Sequence, residues 1–130
     1  MSYASQVSAY RDREILTASP ARLVVLLFEH AHSNLLRARR AVQTGNAHER
    51  VIAVGKARDA ILELMSTLNM EQGGQIAQNL RSLYAFVLTE LADVARRNDG
   101  ARLEAVIRVV SELHTAFATV AMDSARVPAA

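Results

Sequence analysis

The chain has 130 residues, which suits one domain, and 51% of them are hydrophobic, enough for a core and too many for wholesale disorder. Aromatic residues make up 5% and there are two prolines, so the composition favours helices over strands. A formal charge of +2 and no cysteine exclude a disulfide frame, thiol chemistry and the dense basic surface that nucleic acid requires.

The opening stretch, "MSYASQVSAYRDREIL", has no long apolar run and does not read as a signal peptide. It places Tyr3, Val7 and Tyr10 at helical spacing among polar residues, which predicts a short mobile helix within residues 1–18. The longest apolar run, Leu23 to Phe28, is far below the roughly 20 residues of a membrane span. No membrane insertion and a cytoplasmic location are therefore expected.

The first strong helix start is "TASP", in which Ser19 can cap and Pro20 suits the first turn because its missing N–H costs nothing there. Val24, Leu27, Ala31, Leu35, Ala38 and Val42 follow at helical spacing, and Gly45 supplies a left-handed stop. Arg37, Arg39 and Arg40 near that end read as compensation of the helix dipole. Asn46 with Glu49 resembles a capping box for a second helix, whose stripe is Val54, Ala57, Ile61, Leu64 and Leu68. Asn69 is a candidate end for it, and Gly73 and Gly74 free the backbone for a reversal. A third helix is predicted from about Gln75 to Arg97, with Ile76, Leu80, Leu83, Val87, Leu91 and Val94 as its main stripe and Tyr84 on the flank. After "NDG", Asp99 caps a fourth helix carrying Leu103, Val106, Val110, Leu113, Phe117 and Val120. Short connections between helices of similar length favour antiparallel neighbours. The expectation is all-α: an antiparallel up-down four-helix bundle over residues 19–121, preceded by the mobile segment 1–18 and followed by a flexible tail, 122–130.

Motifs for catalysis are absent. Glu29 and His32 make one E-x-x-H, but a di-iron bundle needs that motif twice plus two more glutamates. "HAHSNL", from His30, superficially suits a histidine phosphotransfer domain, yet Arg37 comes too late to act as that family's lysine. No phosphate loop, dinucleotide fingerprint or nucleophile elbow occurs. No enzyme, cofactor or metal site is expected. The remaining signal is surplus apolar surface: Leu23, Val25, Leu26, Phe28 and Leu36 on the first helix, Val51, Leu62 and Met65 on the second, Phe86 on the third, and Ile107 and Val109 on the fourth. A broad core stripe accounts for part of it. The rest suits a groove that takes an amphipathic segment from a partner, as in a general helical adaptor.

Two ordered blocks then carry a resemblance. "TASPARLVVLLFEHA" (17–31) and "STLNMEQGGQIAQNLRSLYAF" (66–86) resemble the two signatures of the flagellin-specific export chaperones, the FliS family, and Tyr10 stands where that family has a tyrosine upstream of T-A-S-P. The resemblance runs from about Tyr10 to Phe117. Where many relatives have Leu-Tyr-Asp, this chain has Leu27-Phe28-Glu29; where they have Tyr-Asp-Tyr, it has Tyr84-Ala85-Phe86; and a tryptophan common late in their last helix is either replaced here by Phe117 or absent. The resemblance implies a cytoplasmic chaperone that binds the disordered C-terminal segment of flagellin, prevents premature polymerisation and delivers the subunit to the flagellar export gate. Leu62, Met65, Asn79, Tyr84 and Phe86 are the expected groove contacts, with helices two and three framing the groove. Asn79 has two open roles, bonding the partner backbone or bracing the preceding loop. Val7 and Tyr10 are expected either to occupy the empty groove or to touch the export gate.

Overall fold

The structure, a computed structural model, describes residues 19–126, with side chains as far as Met122. Val7, Tyr10 and the predicted N-terminal helix lie outside the described residues. Four helices follow in order: α1 (Pro20–Thr44), α2 (Ala47–Ser66), α3 (Gly74–Arg96) and α4 (Gly100–Arg126). α4 thus continues past the expected end of the bundle at residue 121. α1 and α3 each pack against both α2 and α4, so the helices follow chain order round a square with antiparallel neighbours.

Local chemistry explains each break. Ser19 Oγ accepts a hydrogen bond from the Arg22 N–H at 3.2 Å, satisfying one of the free donors of the first turn. Gly45 ends α1 in the left-handed region, at φ 69°. Asn46 Oδ1 accepts from the Glu49 N–H at 3.1 Å, and Asp99 Oδ1 from the Arg102 N–H at 3.0 Å, at the starts of α2 and α4. α2 ends at Ser66, before Asn69. Asn69 instead braces the turn that follows, where its Oδ1 accepts from the Gln72 N–H at 3.0 Å.

The paired glycines have two separate causes. Gly74 sits at φ 53°, where a Cβ is strained. Gly73 has an ordinary φ of −77°, but a Cβ there would lie 2.5 Å from Ala77 Cβ and 2.6 Å from the Asn69 carbonyl oxygen. The turn is wound so tightly onto the start of α3 that a methyl group has no room.

The core runs through Phe28, Leu35, Ile61, Leu64, Tyr84, Leu91, Leu103, Val106 and Val110. α1 and α2 form the most extensive seam, and both carry buried alanines (Ala31, Ala38 and Ala41; Ala53, Ala57 and Ala60) that let two backbones approach closely. Much of the apparent surplus is core: Val25, Leu26, Phe28 and Ile107 are buried. The α1 stripe is simply broad, because the helix packs on two neighbours. Leu36, Val51 and Leu62 do remain exposed. Arg37 and Arg39 precede the last turn of α1 and are turned towards acids on neighbouring helices, Glu49 at 3.9 Å and Glu104 at 2.6 Å, so pairing replaces the expected dipole role.

Candidate functional site

The two ends of the bundle differ in chemistry. At the end holding the α1–α2 and α3–α4 connections, polar groups join all four helices. Asn98 Nδ2 donates to the Val42 carbonyl at 3.2 Å, and Arg50 donates to Asn98 Oδ1 at 3.1 Å and to the Ala95 carbonyl at 3.3 Å. Arg102 Nη1 donates to Glu90 Oε2 at 2.9 Å and to Asp93 Oδ2 at 3.3 Å, while its Nε donates to Asp99 Oδ2 at 3.2 Å. Arg39 grips Glu104 with two bonds, at 2.6 and 2.9 Å. The Arg102 N–H and guanidinium hold the Asp99 carboxyl below its ordinary value, and the hydrogen bond from Arg96 does the same for Asp93.

The opposite end is apolar and open. An open cleft of about 210 Å³ lies where the start of α1, the α2–α3 turn, the start of α3 and the late part of α4 meet. Val24, Leu68, Ile76, Ala77, Leu80, Tyr84 and Phe117 line it, with Thr67, Asn69 and Gly73 from the turn. Aromatic rings connect its walls. Phe28 stacks on Phe117 with centroids 5.2 Å apart, and lies 6.3 Å from Tyr84 at an interplanar angle of 47°. Each such pair contributes about 0.5–1.5 kcal/mol beyond area burial. Burial pushes the Tyr84 hydroxyl up to about 12.

The expected contact residues fall in different places. Tyr84 is 2% exposed and lines the cleft from the core. Leu62 is 40% exposed on α2, Met65 is half-buried against the core, and Phe86 is 45% exposed on α3; none of the three lines the cleft. Asn79 is exposed, and its Oδ1 accepts from Gln75 Nε2 at 2.8 Å, so it braces the first turns of its own helix. The loop brace is Asn69.

Some members of the apolar stripes are uncovered. Ile76 is 73% exposed, Val120 is 60% exposed, and Leu83 also reaches solvent. Ile76, Leu83 and Phe86 stand at i, i+7 and i+10, on one side of α3. α3 and α4 make the least extensive of the seams between neighbouring helices. Ile76 and Val120 are the end members of their stripes, and both lie at the open end of the bundle. That shared end position was the available signal in the sequence.

His30 does not present a free nucleophile: its Nε2 lies 3.3 Å from Asn34 Nδ2, which also donates to the His30 carbonyl at 2.9 Å. The stretch Gly100–Met122 of α4 is long and apolar enough to cross a membrane, a test that core helices also pass. In the bundle its Leu103, Val106, Ile107 and Val110 are buried in the core.

The model of the family described as flagellar protein FliS matches residues 3–124. The chain belongs to the FliS family. It is 36% identical over 106 residues to the flagellar secretion chaperone FliS of Vibrio cholerae, covering 82% of this chain and 78% of that protein. The Salmonella typhimurium protein of the same name is 34% identical over 119 residues, covering 88% of each. The flagellar secretion chaperone FliSB of Pseudomonas aeruginosa is 31% identical over 106 residues, covering 82% and 84%. FliS is a family of chaperones and not of enzymes, which sets aside the phosphotransfer reading of His30.

Proposed function

We propose that this chain is a cytoplasmic export chaperone that binds the disordered C-terminal segment of flagellin, prevents its premature polymerisation and assists its delivery to the flagellar export gate. The observation that carries the reading is the apolar cleft at the open end, flanked by an Ile76 that the bundle leaves uncovered. An isolated exposed isoleucine is ordinary. An isoleucine beside a cleft walled by Val24, Leu68, Leu80 and Phe117 is a seat for the apolar face of a helix. A client that is unfolded when free must bury enough surface to offset its own ordering, typically about 1,000–3,000 Å². The cleft is too small for that alone. The client therefore extends from it along the outer side of α3, over Leu83 and Phe86, with Leu62 and Met65 of α2 as further contacts.

Titration of the purified protein with a flagellin C-terminal peptide tests this. A one-to-one complex with added helicity by circular dichroism is expected; no binding at tens of micromolar would sink it. Val7 and Tyr10 enter through the family resemblance. Tyr10→Ala should tighten the peptide complex if the N-terminal segment competes for the groove, or leave it unchanged and impair export if that segment meets the gate.

A further inference from the structure

α1 and α4 bring together two histidines far apart in the chain. The ring centroids of His32 and His114 are 6.2 Å apart, with an interplanar angle of 41°. Glu29, one turn before His32, places Oε1 3.8 Å from His114 Nε2. The bundle needs none of this for its core: both rings are partly exposed, and neither belongs to the buried cluster.

We propose that His32 and His114 bind one divalent transition-metal ion, of the zinc, nickel or copper kind, bridging α1 and α4. Imidazole nitrogens suit these ions, whereas magnesium and calcium take oxygen ligands. Each nitrogen lies about 2.0–2.1 Å from such an ion, so two rings in a tetrahedral arrangement have centres about 5.3 Å apart. The observed separation of 6.2 Å exceeds that by about 1 Å, which is the closure that ligation requires. The ligand must be neutral imidazole.

The Glu29 carboxylate oxygen stands 3.8 Å from His114 Nε2 and attracts a cation, and it shares its charge with Arg22 at 3.9 Å. Arg39, the cation nearest His32, is engaged by Glu104. Among the described residues no group of three such ligands is set for a metal, so the site is a two-histidine one completed by water. His114 lies one turn before Phe117, so the ion would fix the helix that supplies one wall of the cleft. The inference does not depend on which client occupies that cleft.

The test is calorimetric titration of the metal-free full chain with zinc chloride and with nickel chloride, alongside thermal melts with and without the ion. One ion per chain and a raised melting temperature are expected. His32→Gln and His114→Gln should each weaken binding about tenfold or more and abolish the thermal shift. His48→Gln, at an exposed position near the start of α2, should leave both unchanged. Circular dichroism verifies that the variants are folded. No saturable binding up to millimolar metal would overturn the proposal, as would binding that survives either substitution at His32 or His114.

Discussion

Replacing Ile76 by alanine separates a docking residue from a core residue. Fully burying an isoleucine stabilises by about 1.5–3 kcal/mol. Ile76 is 73% exposed in the bundle, so roughly three-quarters of that gain is still available to a partner, about 1–2 kcal/mol. Ile76→Ala should therefore weaken a flagellin C-terminal peptide about 5- to 30-fold. The fold itself loses only the remaining quarter, about 0.4–0.8 kcal/mol, and alanine's better helix propensity returns a few tenths of that. Net stability should shift by less than about 0.5 kcal/mol, as at other surface positions. Isothermal titration gives the first quantity and urea unfolding the second. A stability loss of about 2–5 kcal/mol, as for a core aliphatic, would refute the reasoning. So would an unchanged dissociation constant in a peptide complex that forms with the parent protein.

Other substitutions and conditions test the framework. Gly55 lies inside α2 with no described atom within 4 Å of an added Cβ, so Gly55→Ala should stabilise by about 1 kcal/mol in urea unfolding. Gly73→Ala should destabilise by about 1–3 kcal/mol, because the new methyl meets Ala77 Cβ and the Asn69 carbonyl, both anchored to backbone. Tyr84 links stability to alkaline pH. Its hydroxyl titrates at about 12 when folded against an unfolded value of 10.0, so its contribution is fully present below pH 10 and is lost as the pH rises towards 12. Denaturant midpoints should fall across that window, and the fall should be smaller in Tyr84→Phe. Asp93 and Asp99 act in the opposite sense: their carboxyls are held below the ordinary 3.8, so their contribution is present above that pH and is lost as acid titrates them.

The punctuation of the fold was legible because it is local. Ser19, Gly45, Asn46 and Asp99 act within one turn of their own position, and each does what its residue type suggests. The alternation of four apolar stripes likewise implied the bundle. What periodicity could not supply was whether a stripe is covered. Ile76 and Leu80 belong to one pattern, yet one projects into solvent and the other packs on the core. Which side chain a neighbouring helix covers is a tertiary quantity. Tyr84 shows the converse: read as a flank, it is the largest of the fully buried side chains. The cleft draws on the first turns of α1, the α2–α3 turn and the late part of α4, whose meeting no local window contains. The approach of His114 to His32 was hidden for the same reason.

Arg102 gives the bundle an anchored end. With Glu90, Asp93 and Asp99 gathered on one guanidinium, α3 and α4 are pinned at their shared connection. The charged clasp thus stands at one end of this helix pair and the uncovered apolar residues Ile76 and Val120 at the other, so polar and apolar chemistry are divided along the length of the bundle.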